Sequence, residues 1–319
     1  MAGETPALRW GVCFADDSAF QRARAVLRSR GTLTGVCGGP EEARVPARRM
    51  DTVEEVLAAS DAVIVGGPDA ERTARTALEA GCHVSAALPL TFRSKTMLRL
   101  AHIAKAQRRL LHLFEPELHR PAFRTLRGHC RAEEVEELVL AATYSRTVPA
   151  SPRDSRTVPA SPRDSRTVPA SPPDSGPVVS PADLVHPHLA ELQQLVVLGG
   201  PVAEVTRAQL TPSASGTRFD ATLVFRKGAR ASIELVPGER DARVIDVRSG
   251  LSWRIEGAHL YCGNSMTTLT DNRSPSELAV LELEMVAGGR GRPALTLEAH
   301  YHTLVVIEAL VEGRTGRLR

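Results

Sequence analysis

The feature that most restricts the fold of this chain is an alternation over its first 125 residues, in which short continuous apolar runs are separated by segments of helical periodicity. Arg9 to Phe14 (RWGVCF) reads as a buried strand, Leu33 to Cys37 as a second, Asp61 to Val65 (DAVIV) as a third, His83 to Ala86 as a fourth and Leu110 to Leu113 as a fifth. Runs with so little in–out alternation suit strands covered on both faces, which is the situation in a parallel sheet. The first intervening helix can be capped by Asp17 or Ser18, carries Phe20, Ala23, Val26 and Leu27 as its apolar stripe, and can end at Gly31. Val53 to Ala59, Asp69 to Ala80 (closed by Gly81) and Ser94 to Gln107 supply further helices. Strand and helix in regular succession predict an α/β fold with a doubly wound parallel sheet.

The pattern then changes. Residues 145–174 are three near-identical ten-residue units, SRTVPASPRD twice and SRTVPASPPD once. The period is too short for a solenoid and the units have no buriable stripe, so an extended solvated loop is expected. Such insertions in surface loops cost little. Ser151, Ser161 and Ser171 each precede a proline, which would suit phosphorylation or docking, though an expanded loop without a role reads equally well. A helix is expected from about Leu184 to Leu198, ended by Gly199-Gly200-Pro201. Strand-like segments follow at Val202 to Leu210, Phe219 to Phe225, Ala231 to Pro237, Ala242 to Val247 and near Trp253, with closing helices at Ser276 to Met285 and Thr303 to Val311. The expected division is a first domain over 1–125 and an α+β domain over 126–319, built on an open, mostly antiparallel sheet and interrupted by the repeat loop at 145–175.

Charge and cysteine content narrow the function. Forty basic residues are spread along the chain and matched by 37 acidic ones, for a net charge of +3. With no basic patch interleaved with aromatics, a nucleic-acid partner is not expected. The N-terminal MAGETPALRW lacks the apolar core of a secretory signal, and no apolar run approaches the ~18 residues that span a bilayer, so no membrane association is expected. The five cysteines are far apart and form no C-x-x-C pair, which indicates reduced thiols and a cytoplasmic protein.

The stretch Asp61 to Leu90 (DAVIVGGPDAERTARTALEAGCHVSAALPL) resembles the signature of the Gfo/Idh/MocA oxidoreductases, in which a strand and tight turn lead to a helix, then A-G-K-H-V and E-K-P-L. Asp183 to Val205 (DLVHPHLAELQQLVVLGGPVAEV) resembles the second-domain helix of that family, and HYHTLVVIEALVEGRTGRL its last helix. The resemblance spans nearly the whole chain apart from the repeats. It implies a Rossmann-type first domain, an α+β second domain, NAD(P)-dependent hydride transfer in the cleft between them, and a homodimer paired through the open face of the second sheet. Were that face without polar cover, a large apolar interface would be expected.

The residues that such chemistry needs are changed. A dinucleotide turn uses glycines so that backbone can approach the pyrophosphate at a helix N-terminus. Here the turn reads Phe14-Ala15-Asp16-Asp17-Ser18-Ala19, and carboxylates at ~4 Å from phosphate charges would cost a few kcal/mol each. The second strand ends in Cys37, followed by Gly38 and Gly39, where an acid for the ribose hydroxyls is usual. Gly66-Gly67-Pro68 remains at the position the family uses beside the nicotinamide, although a tight strand-to-helix turn would read the same way. Aligning Pro89-Leu90 with the family's P-L puts Ala87 at the Glu position and Leu88 at the Lys position, and a leucine has no proton to exchange.

The family's second catalytic element is an Asp followed by a His, for which Asp183, His186 and His188 are the candidates, at spacings of three and five. A His beside a carboxylate can titrate near neutrality, but an exposed helix start would account for these residues as well. Two H-x-H pairs, His186/His188 and His300/His302, could share a strand face, yet Pro187 disfavours a strand and no acid stands at ligand spacing, so no metal is expected. Glu115 and His119 occupy what the resemblance makes the family's substrate-side stretch and, with Arg120 and Arg124, would suit an anion there, though an exposed charged helix would look the same. Three readings remain. The first is a descendant that keeps the fold and binds a small molecule or a protein, with NAD(P) bound weakly or not at all. The second is an NAD(P)-dependent oxidoreductase with an atypical cofactor loop, which would draw its proton from His186 or His188. The third is a different chemistry in the same cleft.

Overall fold

The computed structural model describes residues 8–13, 17–28, 32–38, 46–145, 180–213, 216–238 and 242–318. Ala15 and Asp16 of the cofactor turn lie outside these residues, as do the repeats from 146 onward.

The first sheet contains β1 (Arg9–Cys13), β2 (Thr32–Cys37), β3 (Arg48–Arg49), β4 (Ala62–Val65), β5 (His83–Ala87) and β6 (Leu111–Phe114). All pairs are parallel and the order is β3-β2-β1-β4-β5-β6. The connecting helices are α1 (Asp17–Arg28), α2 (Val53–Ala59), α3 (Ala70–Glu79) and α4 (Ser94–Ala106). Chain direction across the sheet reverses between β1 and β4, which opens a crevice at their carboxyl ends. A Cβ at Gly11 would overlap Val56 Cγ1, so this glycine is what lets α2 lie directly on β1. Arg22 of α1 is fully buried, and its guanidinium donates to Ser85 O (2.8 Å) and Val65 O (2.9 Å) over the Phe114 ring, tying α1 to the carboxyl side of β4 and β5.

The chain continues through α5 (Pro121–Ala132), β7 (Glu137–Ser145), α6 (Pro181–Val185), a three-ten turn at His186–His188 and α7 (Leu189–Gly199). Then follow β8 (Val202–Ser213), β9 (Gly216–Phe225), β10 (Arg230–Gly238), β11 (Ala242–Ser249), β12 (Leu251–Glu256), β13 (His259–Cys262) and β14 (Ser265–Thr268). The chain closes with α8 (Pro275–Ala287), α9 (Leu297–Val311) and β15 (Gly316–Arg317). The second sheet runs β14-β13-β12-β11-β7-β10-β9-β8-β15, and only its β7–β10 pair is parallel. Inward residues alternate as a one-sided sheet requires, with Leu138, Leu140 and Ala142 on β7 beside Ala231, Ile233 and Leu235 on β10. The open face is not apolar. It carries Arg218 paired with Asp220 (2.7 Å) and Glu234 (3.1 Å), and Arg254 paired with Asp246 (2.6 Å).

Three details differ from the sequence reading. The single helix expected over Leu184 to Leu198 is broken into α6, the three-ten turn and α7, because Pro187 has no N–H to continue an α-helical ladder. Strand β7, which the sequence reading did not identify, lies in the middle of the second sheet. Helix α8 comes from the second half of the chain, yet its Ala279, Val280 and Leu283 complete the core that Trp10, Val12, Ile64 and the small residues of α1 form on one face of the first sheet. Among the described residues no helix is long and apolar enough to cross a membrane.

Candidate active site

β6 ends at Phe114. Glu115, the next residue, opens a three-ten turn at Pro116–His119, and its Oε1 accepts the Glu117 N–H at 3.1 Å. Only 7% of the residue is exposed. Burial pushes the carboxyl up to about 7; the Glu117 N–H pulls it back a little, and the charges of Glu117 and Glu191 add to the rise. Glu115 is therefore poised to hold a proton at neutral pH.

The broken helix supplies the facing groups. Ser180 and Asp183 form a capping box that starts α6, and Pro187 then forces the turn from which His188 and Glu191 point inward. His188 is 3% and Glu191 4% exposed. Neither ring nitrogen of His188 has a hydrogen-bond partner, nor does Glu191 Oε2, which lies 3.7 Å from His188 Nδ1. Glu191 Oε1 accepts from Arg243 Nη1 at 2.5 Å, across from β11. Burial alone would raise the Glu191 carboxyl, but His188 and the Arg243 guanidinium outweigh it and hold it below the usual range. Two buried carboxylates with acid strengths pushed apart mark acid and base assignments in a polar site. Buried polar atoms left without partners cost ~1–3 kcal/mol each, a cost that a bound ligand or water would remove.

The sequence candidates fall in different places. His188 is in this cluster. His186 stacks on Phe92, with ring centroids 3.9 Å apart, and burial lowers its affinity for a proton. Asp183 is exposed, and its Oδ2 accepts from Ser180 N–H (3.0 Å) and Oγ (2.7 Å), which commits it to capping α6. Leu88 follows β5, is joined to Pro89 by a cis peptide, and packs half-buried against the core. Arg120 is tied to Glu117 and Arg124 to Asp271, so neither forms the anion cluster suggested by their spacing. The H-x-H strand reading is corrected. His186 and His188 sit in the three-ten turn, while His300 and His302 are on α9, where residues two apart diverge. His300 is buried against Gln193 (2.7 Å), and burial takes it down to about 3. No group of three or more His, Cys, Asp or Glu among the described residues could hold a metal. Glu191 and Arg243 were not singled out from sequence. Glu191 is the only charged residue in LAELQQLVVLG, and that was the available signal.

A dinucleotide would have to lie at the carboxyl ends of β1, β2 and β4. Gly38 (φ +76°) follows β2, and buried Gly66 with Gly67 (φ +78°) follows β4, while Pro68 is exposed on the turn into α3. Cys37 is buried, 3.8 Å from Asp51 O. Burial raises its thiol, and the charges of Glu54, Glu55 and Asp51 raise it further against Arg49. Asp51, Glu54 and Glu55, on α2 and the loop before it, thus stand close enough to the end of β2 to act on the Cys37 thiol.

No family model matches the chain, and no curated protein matches it. Among solved structures it is similar to UDP-N-acetylglucosamine 3-dehydrogenase GnnA from Acidithiobacillus ferrooxidans (TM-score 0.74, 17% identity, 97% of this chain and 98% of that one). It is similar to biliverdin reductase from Synechocystis sp. PCC 6803, solved with biliverdin and NADP+ (0.70, 17%, 96% and 98%). A third is GenD2 from gentamicin A biosynthesis, solved with NAD (0.71, 15%, 100% and 98%). These neighbours are of Gfo/Idh/MocA type, and likeness at such identities establishes that two-domain fold for the present chain.

Proposed function

We propose that this protein is an NAD(P)-dependent oxidoreductase with an atypical cofactor turn, acting on a small molecule whose carbonyl or hydroxyl carbon lies in the cleft between β6 and α7. The observation that carries this reading is the pair of buried carboxylates pushed in opposite directions, Glu115 up to about 7 by burial and Glu191 below its usual range, with buried His188 3.7 Å from Glu191. Hydride exchange at such a carbon requires a proton to reach or leave the attached oxygen, and Leu88 cannot move one. Glu115 can hold that proton near neutrality. Glu191, held below its usual range by His188 and Arg243, keeps the His188 imidazole in place. Gly66 and Gly67 are the residues that would hold a nicotinamide cofactor, which when bound would supply or take the hydride. The chain's own groups orient the substrate and handle the proton. The likeness to proteins titled as dehydrogenases and reductases supports the same reading.

A second reading, a ligand binder without hydride transfer, is favoured by Leu88 packing into the core where the family has its lysine. In either case, two copies would pair through the second sheet by charged rather than apolar contacts. The test is NADH and NADPH oxidation against a panel of aldehydes and ketones. Glu115→Gln and His188→Asn are expected to lower kcat by ~10²–10⁴-fold with cofactor affinity kept. Wild-type turnover in both variants would remove these residues from the chemistry.

A further inference from the structure

We infer that Glu282 of α8 is a positioning residue for Glu115, clamping the strand and turn that carry it; the inference rests on the proton-handling role proposed for Glu115. His112 precedes Glu115 by three residues on β6, and His119 follows it by four at the end of the turn. Both imidazoles converge on one carboxylate. Glu282 Oε2 lies 3.1 Å from His112 Nε2 and 3.8 Å from His119 Nε2, while Oε1 accepts the Ala294 N–H at 2.6 Å. All three side chains are at most 15% exposed.

The carboxylate comes from a rigid support. A Ser274–Glu277 capping box starts α8, and Ala279, Val280 and Leu283 anchor it against α1 and the first sheet. Burial raises the Glu282 carboxyl, and the two histidines more than offset this, so it stays charged. His119 is lowered by burial and by His112, Arg124 and Arg127, and only Glu282 opposes them. Without that carboxylate, the two imidazoles lose the buried group on which they converge, and His119 loses its tie to α8. The backbone of the turn would follow, since Leu118 N donates to Glu115 O (3.2 Å) and Arg120 N to Glu117 O (3.2 Å). Glu115 owes its raised proton affinity to exclusion from water, and a loosened turn would let water reach it.

The test is an infrared pH titration of the whole protein without ligand, reading the C=O band of protonated carboxyl groups and assigning Glu115 by its loss in Glu115→Gln. The wild type is expected to lose that band near pH 7. In Glu282→Gln the band is expected to disappear at least about one pH unit lower. His119→Asn, which removes one arm of the clamp and leaves His112 in place, is expected to move it in the same direction if Glu282→Gln does not fold. A band that titrates at the wild-type position in either folded variant overturns the inference and leaves the proposed function standing. A wild type with no band titrating near 7 removes the observation on which the proposed function rests, and the inference with it.

Discussion

Replacing Glu115 by Gln tests the energetic reasoning at the site without any ligand. In the folded protein the Glu115 carboxyl is pushed up to about 7 from an ordinary value of 4.5. At low pH both folded and unfolded chains keep the proton, and the group contributes nothing to stability. As pH rises past the ordinary value, the unfolded chain ionises while the folded one does not, and each pH unit then removes ~1.4 kcal/mol of stability. Above about 7 the folded carboxyl also ionises, and the penalty levels off at ~3 kcal/mol. Gln has nearly the same shape, cannot ionise, and keeps an oxygen for the Glu117 N–H. Glu115→Gln is therefore expected to stabilise the protein by ~3 kcal/mol at pH 8 and by less than ~1 kcal/mol at pH 5. Urea unfolding at the two pH values, followed by fluorescence of the buried Trp10 and Trp253, reads the difference directly. The same change in stability at both pH values would refute the claim that Glu115 is held protonated by burial.

Two further variants probe the surroundings. Arg243→Gln leaves Glu191 buried without its guanidinium, and with Arg243 itself 47% exposed the expected loss is ~1–3 kcal/mol at pH 8. That loss should shrink at pH 5. A carboxylate held below its usual range contributes stability above its unfolded value and loses it as pH falls, so denaturation at the two pH values checks the sign. Glu308→Ala removes the α9 carboxylate that caps α4 through Ser94 N (2.7 Å) and Oγ (2.8 Å), and should cost ~1–2 kcal/mol. Hydrogen exchange would show it as lost protection in the first turn of α4, and unchanged protection there would rule out the cap.

Much of the architecture was legible because it rests on periodicity. Near-continuous apolar runs such as DAVIV become central parallel strands, and α2 falls over Val53–Ala59 as expected. β7 was harder to recognise. Its in–out alternation of Leu138, Leu140 and Ala142 is short and leads straight into the repeats, and its importance comes from pairing with β10 and β11, far along the chain. The placement of α8 on the first sheet is likewise a tertiary fact, since its apolar residues state that it packs but not against what. At the site, Asp183 and His186 matched a motif by residue type alone, and local forces then claimed them, the capping box for one and Phe92 for the other. Pro187 was read as an obstacle to a strand; its effect is to break the helix and turn His188 inward. Glu191 and Arg243 come from distant segments, and only the fold brings them together.

The central claim is that the crevice above Gly66 and Gly67 still accepts a nicotinamide dinucleotide despite Asp16, Asp17 and Cys37. Calorimetric titration with NADH and with NADPH, paired with thermal unfolding, measures this directly. The account predicts affinity in the ~micromolar range for at least one of them, and stabilisation of ~2.7 kcal/mol at a hundredfold excess over the dissociation constant. No heat and no stabilisation with either cofactor up to millimolar concentration would contradict it and leave a ligand-binding protein on an oxidoreductase fold.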